Sequence, residues 1–353
     1  MNPPPNRALI APTSNPRLER ALLEKLMRRA ERVGSLGELE PLAVRIGLMQ
    51  NSLKPRFRQP HLLVAAADHG LAVEGLPAVG RQPTHALAQQ LLQGRMPLNV
   101  LARLQQIRVT VVDAGIAESM PASEGLLQRK IAHGTRNARL NAAMTTDQAH
   151  AAIRAGMEIG DNLPGNVVMC AGIGVGSRES AALVLSRLTD TPVRDLLISG
   201  PHMDSEHFAR LMGIAQAAQM RHREVSDPVE VLAAFGGFEM AVLAGVMLVA
   251  AGRRHLLMID GMPALAALMV ASRLAPPVTD YSVFCRSHQH LGLDHALALF
   301  RASALLELGM ESTDGTGSAL AWSLVNSAAA LLTDVPEGEE PGPTLPQDLD
   351  ETP

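Results

Sequence analysis

The stretch that decides the fold is 166–185, NVVMCAGIGVGSRESAALVL. It reads as a buried strand over 166–170, a glycine loop carrying Gly172, Gly174 and Gly176, and an Ala/Leu helix that starts near Ser177. A strand that ends in glycines just ahead of a helix lets backbone N–H groups converge on an anion, and the helix dipole adds partial positive charge. Gly174, Val175, Gly176 and Ser177, with Arg178 beside them, are therefore candidate phosphate or nucleotide contacts. The alternative is an ordinary strand-to-helix turn whose glycines serve positive φ or close packing. Ser177 stands where the third glycine of G-x-G-x-x-G would fall, and no Gly-Lys-Ser/Thr follows. Both facts weigh against a dinucleotide or ATP loop.

Working outward, short β-rich runs at 61–67, 108–114, 166–171, 195–200, 255–260 and 281–285 alternate with Ala/Leu-rich stretches. That alternation predicts an α/β fold with a parallel sheet. Several runs end in a polar residue beside a glycine, as in Asp68-His69-Gly70, Asp113-Ala114-Gly115, Ser199-Gly200 and Asp260-Gly261. Ligands of open α/β sheets bind beyond the carboxyl ends of the strands, so loops 68–75, 113–116, 172–180, 200–205, 260–263 and 286–290 are expected on one rim.

Helical patterns flank this middle. LERALLEKLMRRAERV follows Pro16 and a second helix runs to Met49; near the other end come ALALFRASALLEL and SALAWSLVNSAAALL. The expected division is a lead-in over 1–15, a small helical domain formed by 16–58 with 296–335, a large α/β domain over 59–295, and a tail over 336–353. The lead-in is expected to be poorly ordered. The tail, with its five prolines and six acids, is expected to be disordered.

Composition narrows the function classes. The 353 residues are 47% hydrophobic and 19% charged, which is globular. Aromatics are only 2%, too few for base-stacking, which argues against a nucleic-acid partner. The net charge is −4, and removing the six acids of the tail leaves the body at +2, so no polyanionic partner is implied. Cys170 and Cys285 lie far apart and read as buried free thiols of a reducing compartment. No secretory h-region opens the sequence, and the longest apolar run, 240–252, is too short to span a bilayer. A cytoplasmic protein without a membrane partner is expected.

Four groups could carry chemistry. Asp68 and His69 could orient a ligand at the sheet edge, or Asp68 could cap the next segment. His288 and His290, with Asp294 and His295 nearby, invite a metal, but the loop lacks a third and fourth ligand, so no metal is assigned. Glu311 and Asp314, with Gly315 and Gly317, form a loop able to present a general base, or a helix cap. The run from His133 to Asn137 could hold an anion or be a surface turn. No G-x-S-x-G elbow is present to support a hydrolase.

Taken in order, these runs resemble the nicotinate-nucleotide:dimethylbenzimidazole phosphoribosyltransferase family. The matching stretches are Gly34-Ser35-Leu36-Gly37, Ala67-Asp68-His69-Gly70, Asn99-Val100-Leu101-Ala102, Val111-Val112-Asp113-Ala114-Gly115-Ile116 and Gly134-Thr135-Arg136-Asn137. Gly174-Val175-Gly176, Gly236-Gly237-Phe238-Glu239, Asp260-Gly261, Ser287-His288 and Asp314-Gly315-Thr316-Gly317 complete the set, over about residues 30 to 330. Each motif is weak alone, and their order makes the set specific.

The resemblance implies a Rossmann-like α/β domain, a small helical domain from both termini, a homodimer, and no cofactor or metal. It also implies transfer of phosphoribose from nicotinate mononucleotide to a benzimidazole nitrogen, with nicotinate released and an α-glycosidic product. Asp314 then falls at the family's catalytic base, which is a Glu. The glycine loop and Gly200 fall at phosphate contacts, and Asp68, His69, Asp260, Ser287, Gly315 and Gly317 around the acceptor or ribose. The chain departs from the family at several points. A second family Glu aligns with Gly172, Asn-Thr-Thr after the loop is Ser177-Arg178-Glu179, a second phosphate loop is Gly200-Pro201-His202-Met203-Asp204, and the ring-contacting Gln falls at Ala86. Two classes stay open: a transferase with a rebuilt site, or a paralogue that binds a nucleotide or flat ring and acts through a partner.

Overall fold

Strand β1, His61–Ala67, is buried along all seven residues and lies inside a six-stranded sheet. It pairs in parallel with β2, Arg108–Gly115, on one side and with β4, Val167–Ile173, on the other. His61 faces Arg108 across the first pairing and Val168 across the second. Outside them lie β3 (Leu126–Gln128), β5 (Leu256–Asp260) and β6 (Ser282–Phe284), in the order β3-β2-β1-β4-β5-β6 with every pairing parallel. Burial on both faces is why the central strands read as continuous apolar runs. The computed structural model describes residues 10–29, 34–75, 82–197, 205–287 and 291–338.

The fold is Rossmann-like, and the strand order places a topological switch point between β1 and β4. Chain direction across the sheet reverses there, so the loops leaving β1 and β4 diverge and open a crevice. The glycine loop leaves β4 at this point.

Two expectations about the elements are corrected. Over 195–200 a strand is expected, yet the described part of that run belongs to the helix Val193–Leu197. Pro192 lies just ahead, its carbonyl accepts from Asp195 N at 3.0 Å, and Val193, Leu196 and Leu197 are buried at helical spacing. A short apolar run does not by itself separate strand from helix. The sixth strand is β3 instead, an edge strand of three partly exposed residues with no apolar run to mark it. Beyond β6, ALALFRASALLEL is not one helix. The helix Leu291–Leu299 ends ahead of Arg301, whose φ is 51°, and Leu306–Glu307 forms β8, parallel to β7 (Arg286–Ser287).

The chain divides into two compact units, one whose described residues fall within 10–13 and 57–324, and one whose described residues fall within 14–56 and 325–338. In the larger unit the helix Phe238–Gly252, apolar around nearly its whole circumference, is buried along most of its length. Each Leu, Val or Met side chain so buried contributes about 1.5–3 kcal/mol. The larger unit runs to residue 324, whereas the sequence assigns 296–335 to the small domain. In the smaller unit Asn15 caps Pro16–Met27 by accepting from Leu18 N at 3.2 Å, and Leu39–Gln50 buries Ala43 and Ile46. Gly338 N donates to Arg28 O at 2.8 Å. The expected lead-in and tail fall mostly outside the described residues.

Candidate active site

At the switch point lies a cavity of about 400 Å³, built by three segments of the larger unit. One is the glycine loop with the start of the helix Ser177–Thr189 (Ile173, Gly174, Val175, Ser177, Arg178). Another is Gln82 with Leu87 and Gln90 of the helix Thr84–Leu92. Glu311, Ser312, Thr313 and Asp314 close the remaining side, over Pro263.

The glycine loop has the shape it does because β1 runs directly beneath it. A Cβ on Gly174 would sit 1.8 Å from the carbonyl oxygen of Ala67, so only glycine passes there. Gly176 has φ of 85° and turns the chain into the helix. Two of the loop's amides are already committed, Val175 N to Thr84 Oγ1 at 3.1 Å and Ser177 N to Gly174 O at 3.2 Å. Among the described residues, Gly176 N has no hydrogen-bond partner. Arg178 brings positive charge to the same wall.

Asp68 stands behind this wall. Its Oδ1 accepts from Thr84 Oγ1 at 2.5 Å and its Oδ2 from Ala117 N at 2.8 Å. Thr84 passes the connection on to Val175, so Asp68 fixes the loop from outside the cavity. The run from His133 to Asn137 is a turn packed on the same residue, with Thr135 N donating to Asp68 O at 2.9 Å.

His69 is also behind the loop. Its Nε2 lies 2.9 Å from Glu239 Oε1, both side chains are fully buried, and the same oxygen accepts from Ser177 Oγ at 2.6 Å. Burial pulls the His69 pKa down, but the charge and hydrogen bond of Glu239, with the charges of Asp68 and Glu179, outweigh it and hold the imidazole above its ordinary value. In the sequence Glu239 stands only as the last residue of Gly236-Gly237-Phe238-Glu239, with no role attached. No local spacing marks it, because its partners His69 and Ser177 come from 170 and 62 positions away in the chain.

On the opposite wall, Asp314 is nearly buried and lines the cavity. Its Oδ1 accepts from Thr316 N at 3.1 Å and Thr316 Oγ1 at 2.6 Å, capping the helix Thr316–Thr333. Its Oδ2 has no partner among the described residues, so the cap and a free carboxylate oxygen coexist. Asp260 is not in the cavity. Its Oδ1 accepts from Arg286 Nε at 2.6 Å and its Oδ2 from Ser318 N at 3.1 Å. Arg286 in turn donates to the carbonyls of Met310 and Ser312, which grips the loop that carries Asp314. A Cβ on Gly317 would lie 2.8 Å from Asp260 Oδ2, so Gly317 serves this packing, whereas Gly315, with φ of 99°, lies against Leu62 and Ala171 of the sheet.

Ser287 pairs with Glu307 between β7 and β8. Gly200, Asp204, His288 and His290 lie outside the described residues. Among the described residues no group of His, Cys, Asp and Glu could hold a metal ion, and no helix is long and apolar enough to cross a membrane. The resemblance reached the helix Thr84–Leu92 only at Ala86, which does not line the cavity; Gln82, Leu87 and Gln90, which do, carried no mark in the sequence. Gln90 Nε2 donates to Gln82 Oε1 at 2.6 Å, and Leu87 and Gln90 share one helical face at i, i+3.

A parallel sheet with its crevice at the switch point, and a carboxylate facing a glycine loop across it, is the frame of an α/β enzyme that handles nucleotides. The phosphoribosyltransferase family model matches residues 11–342, and the chain belongs to that family. It is 40% identical over 306 residues to the nicotinate-nucleotide–dimethylbenzimidazole phosphoribosyltransferase of Cupriavidus taiwanensis, covering 86% of this chain and 88% of that one. It is 38% identical over 323 residues to the protein of the same name from Cupriavidus necator, with 91% and 92% covered. The crystal structure of CobT from Thermus thermophilus superposes with a TM-score of 0.84 at 28% identity, over 90% of this chain and 96% of that one.

Proposed function

We propose that this protein transfers phosphoribose from nicotinate mononucleotide to 5,6-dimethylbenzimidazole or a related azole, releasing nicotinate, in cobalamin lower-ligand synthesis. The observation that carries the reading is Asp314, which lines one cavity with the glycine loop in a chain of this family. The azole lone pair forms the new bond to C1′ as the nicotinate–ribose bond breaks and its electron pair returns to the pyridine nitrogen. The proton left on the azole's other nitrogen passes to Asp314 Oδ2. Positive charge develops on the ribose in between, so alignment of the two rings and the nearby carboxylate supply most of the catalysis. Arg178 on the cavity wall is suited to the 5′-phosphate, with Gly176 N beside it in the same loop, and Leu87 and Met96 offer apolar surface to a flat ring.

No observation favours a binding-only role. Incubation with nicotinate mononucleotide and dimethylbenzimidazole, followed by product analysis, tests the proposal: release of nicotinate with a ribosylated azole is expected, and no release with any azole overturns it. We also expect a cytoplasmic homodimer. A monomer mass by light scattering at micromolar concentration would count against the dimer.

A further inference from the structure

The transfer chemistry leaves unused a buried cluster beneath the glycine loop. Glu239 is fully buried, and its Oε1 takes both the Ser177 Oγ contact at 2.6 Å and the His69 Nε2 contact at 2.9 Å. Glu179, in the first turn of the helix Ser177–Thr189, is buried as well. The positive end of that helix is therefore answered from behind by carboxylates of the protein itself.

The Ser177 hydroxyl carries one proton, and an ionised carboxylate only accepts. Its proton is committed to Glu239, and what it can offer to the cavity it lines is lone pairs. A phosphate monoester near neutral pH is mostly dianionic and presents acceptor oxygens. Against Ser177 Oγ it would set acceptor against acceptor. A sugar hydroxyl brings a proton of its own, and an oxygen already polarised by donating to a carboxylate accepts it more strongly.

We infer that Ser177 accepts a hydrogen bond from a ribose hydroxyl of the donor nucleotide, that Glu239 is the positioning residue that orients the Ser177 hydroxyl, and that the phosphate is held apart from Ser177. This rests on the reading of the cavity as a nucleotide site. It divides the glycine loop between two parts of one ligand, with Ser177 selecting ribose over deoxyribose.

The test is calorimetric binding of nicotinate mononucleotide and its 2′-deoxy and 3′-deoxy analogues to the full chain, wild type and Ser177→Ala, with inorganic phosphate as a second probe. Wild type is expected to bind the ribonucleotide on the order of 10-fold more tightly than one of the deoxy analogues, the worth of one net hydrogen bond. In Ser177→Ala that ratio is expected to fall to about 1, with the affinity for the deoxy analogue and for inorganic phosphate unchanged. Glu239→Gln, which keeps the shape and removes the charge, is expected to reduce the ratio without abolishing binding. Should Glu239→Gln fail to fold, Ser177→Ala decides alone, since it removes a single hydroxyl.

A ratio in Ser177→Ala equal to that of wild type overturns the inference, as does weaker inorganic phosphate binding in that variant. Wild type that prefers the ribonucleotide and shows no turnover sinks the transferase reading while leaving this one standing. Wild type that binds no nucleotide sinks both.

Discussion

Asp314 carries two duties on two oxygens, and substitutions separate them. Asp314→Asn keeps an acceptor for Thr316 N and Oγ1 but offers no oxygen basic enough to take a proton. Turnover is expected to fall by on the order of 100-fold or more, with stability changed by less than about 0.5 kcal/mol, because Asn caps helices as well as Asp. Asp314→Ala loses the cap too and is expected to cost about 1 kcal/mol in a denaturant melt. Asp314→Glu keeps a base one methylene deeper in the cavity and weakens the cap, so turnover is expected to persist at a lower Tm. Full turnover in Asp314→Asn would remove the residue from the chemistry. Arg178 belongs to the same scale. Its removal as Arg178→Ala is expected to weaken nucleotide binding about 10- to 100-fold, the worth of a hydrogen bond to a charged group, and unchanged affinity would mean that the phosphate lies elsewhere.

Among the elements, the loop 310–314 is placed from behind. Arg286 grips the carbonyls of Met310 and Ser312 while Asp260 holds Arg286 and Ser318 N. Taking away one partner of so buried a pair, as in Arg286→Met, leaves an uncompensated carboxylate and is expected to cost about 3–5 kcal/mol. Arg286→Lys keeps the charge and gives up the planar fork. Faster amide exchange in 310–314 and a drop in kcat are expected in that variant, read by hydrogen exchange and steady-state kinetics. Exchange at wild-type rates would show that the loop holds itself. Asp260 and Asp68 were both legible as polar residues at strand ends, and both turned out to brace the cavity from behind. Spacing places a residue at the rim; which way its side chain bonds depends on neighbours from distant parts of the chain, here Arg286 and Thr84.

For the whole molecule, acid is the weak point. His61 and His255 are buried, and desolvation, helped by the charges of Arg108 and Arg253 respectively, lowers each pKa from 6.5 to about 4. Above pH 6.5 both are neutral in the folded and unfolded states, and their stability contribution is complete. Between 6.5 and 4 the unfolded chain takes protons that the folded one refuses, so stability falls by about 1.4 kcal/mol per pH unit for each histidine. His69, with its pKa raised, is protonated in both states over most of that window and adds little slope there; its contribution is lost as pH rises through its folded value. Urea melts from pH 7 to 4.5 are expected to show this decline, and His61→Gln, which can still bond Thr110 Oγ1, to show about half the slope. A flat profile from 6.5 to 5 would contradict it.

By itself the sequence determined the parallel sheet, the strand ends and the ordered motifs of the family, because strand burial and glycine turns leave periodic, local marks. Asp314 on its loop and the glycines after β4 were visible for the same reason. Tertiary structure alone decided which polar groups face the cavity. Val175 N is spent on Thr84, the Ser177 proton on Glu239, and Asp260 on Arg286. Each partner comes from far along the chain, and a hydrogen bond consumes a donor in a way no local spacing records. The edge strand Leu126–Gln128 and the Gln90 wall were set the same way, by what β2 and the crevice needed beside them rather than by any pattern of their own.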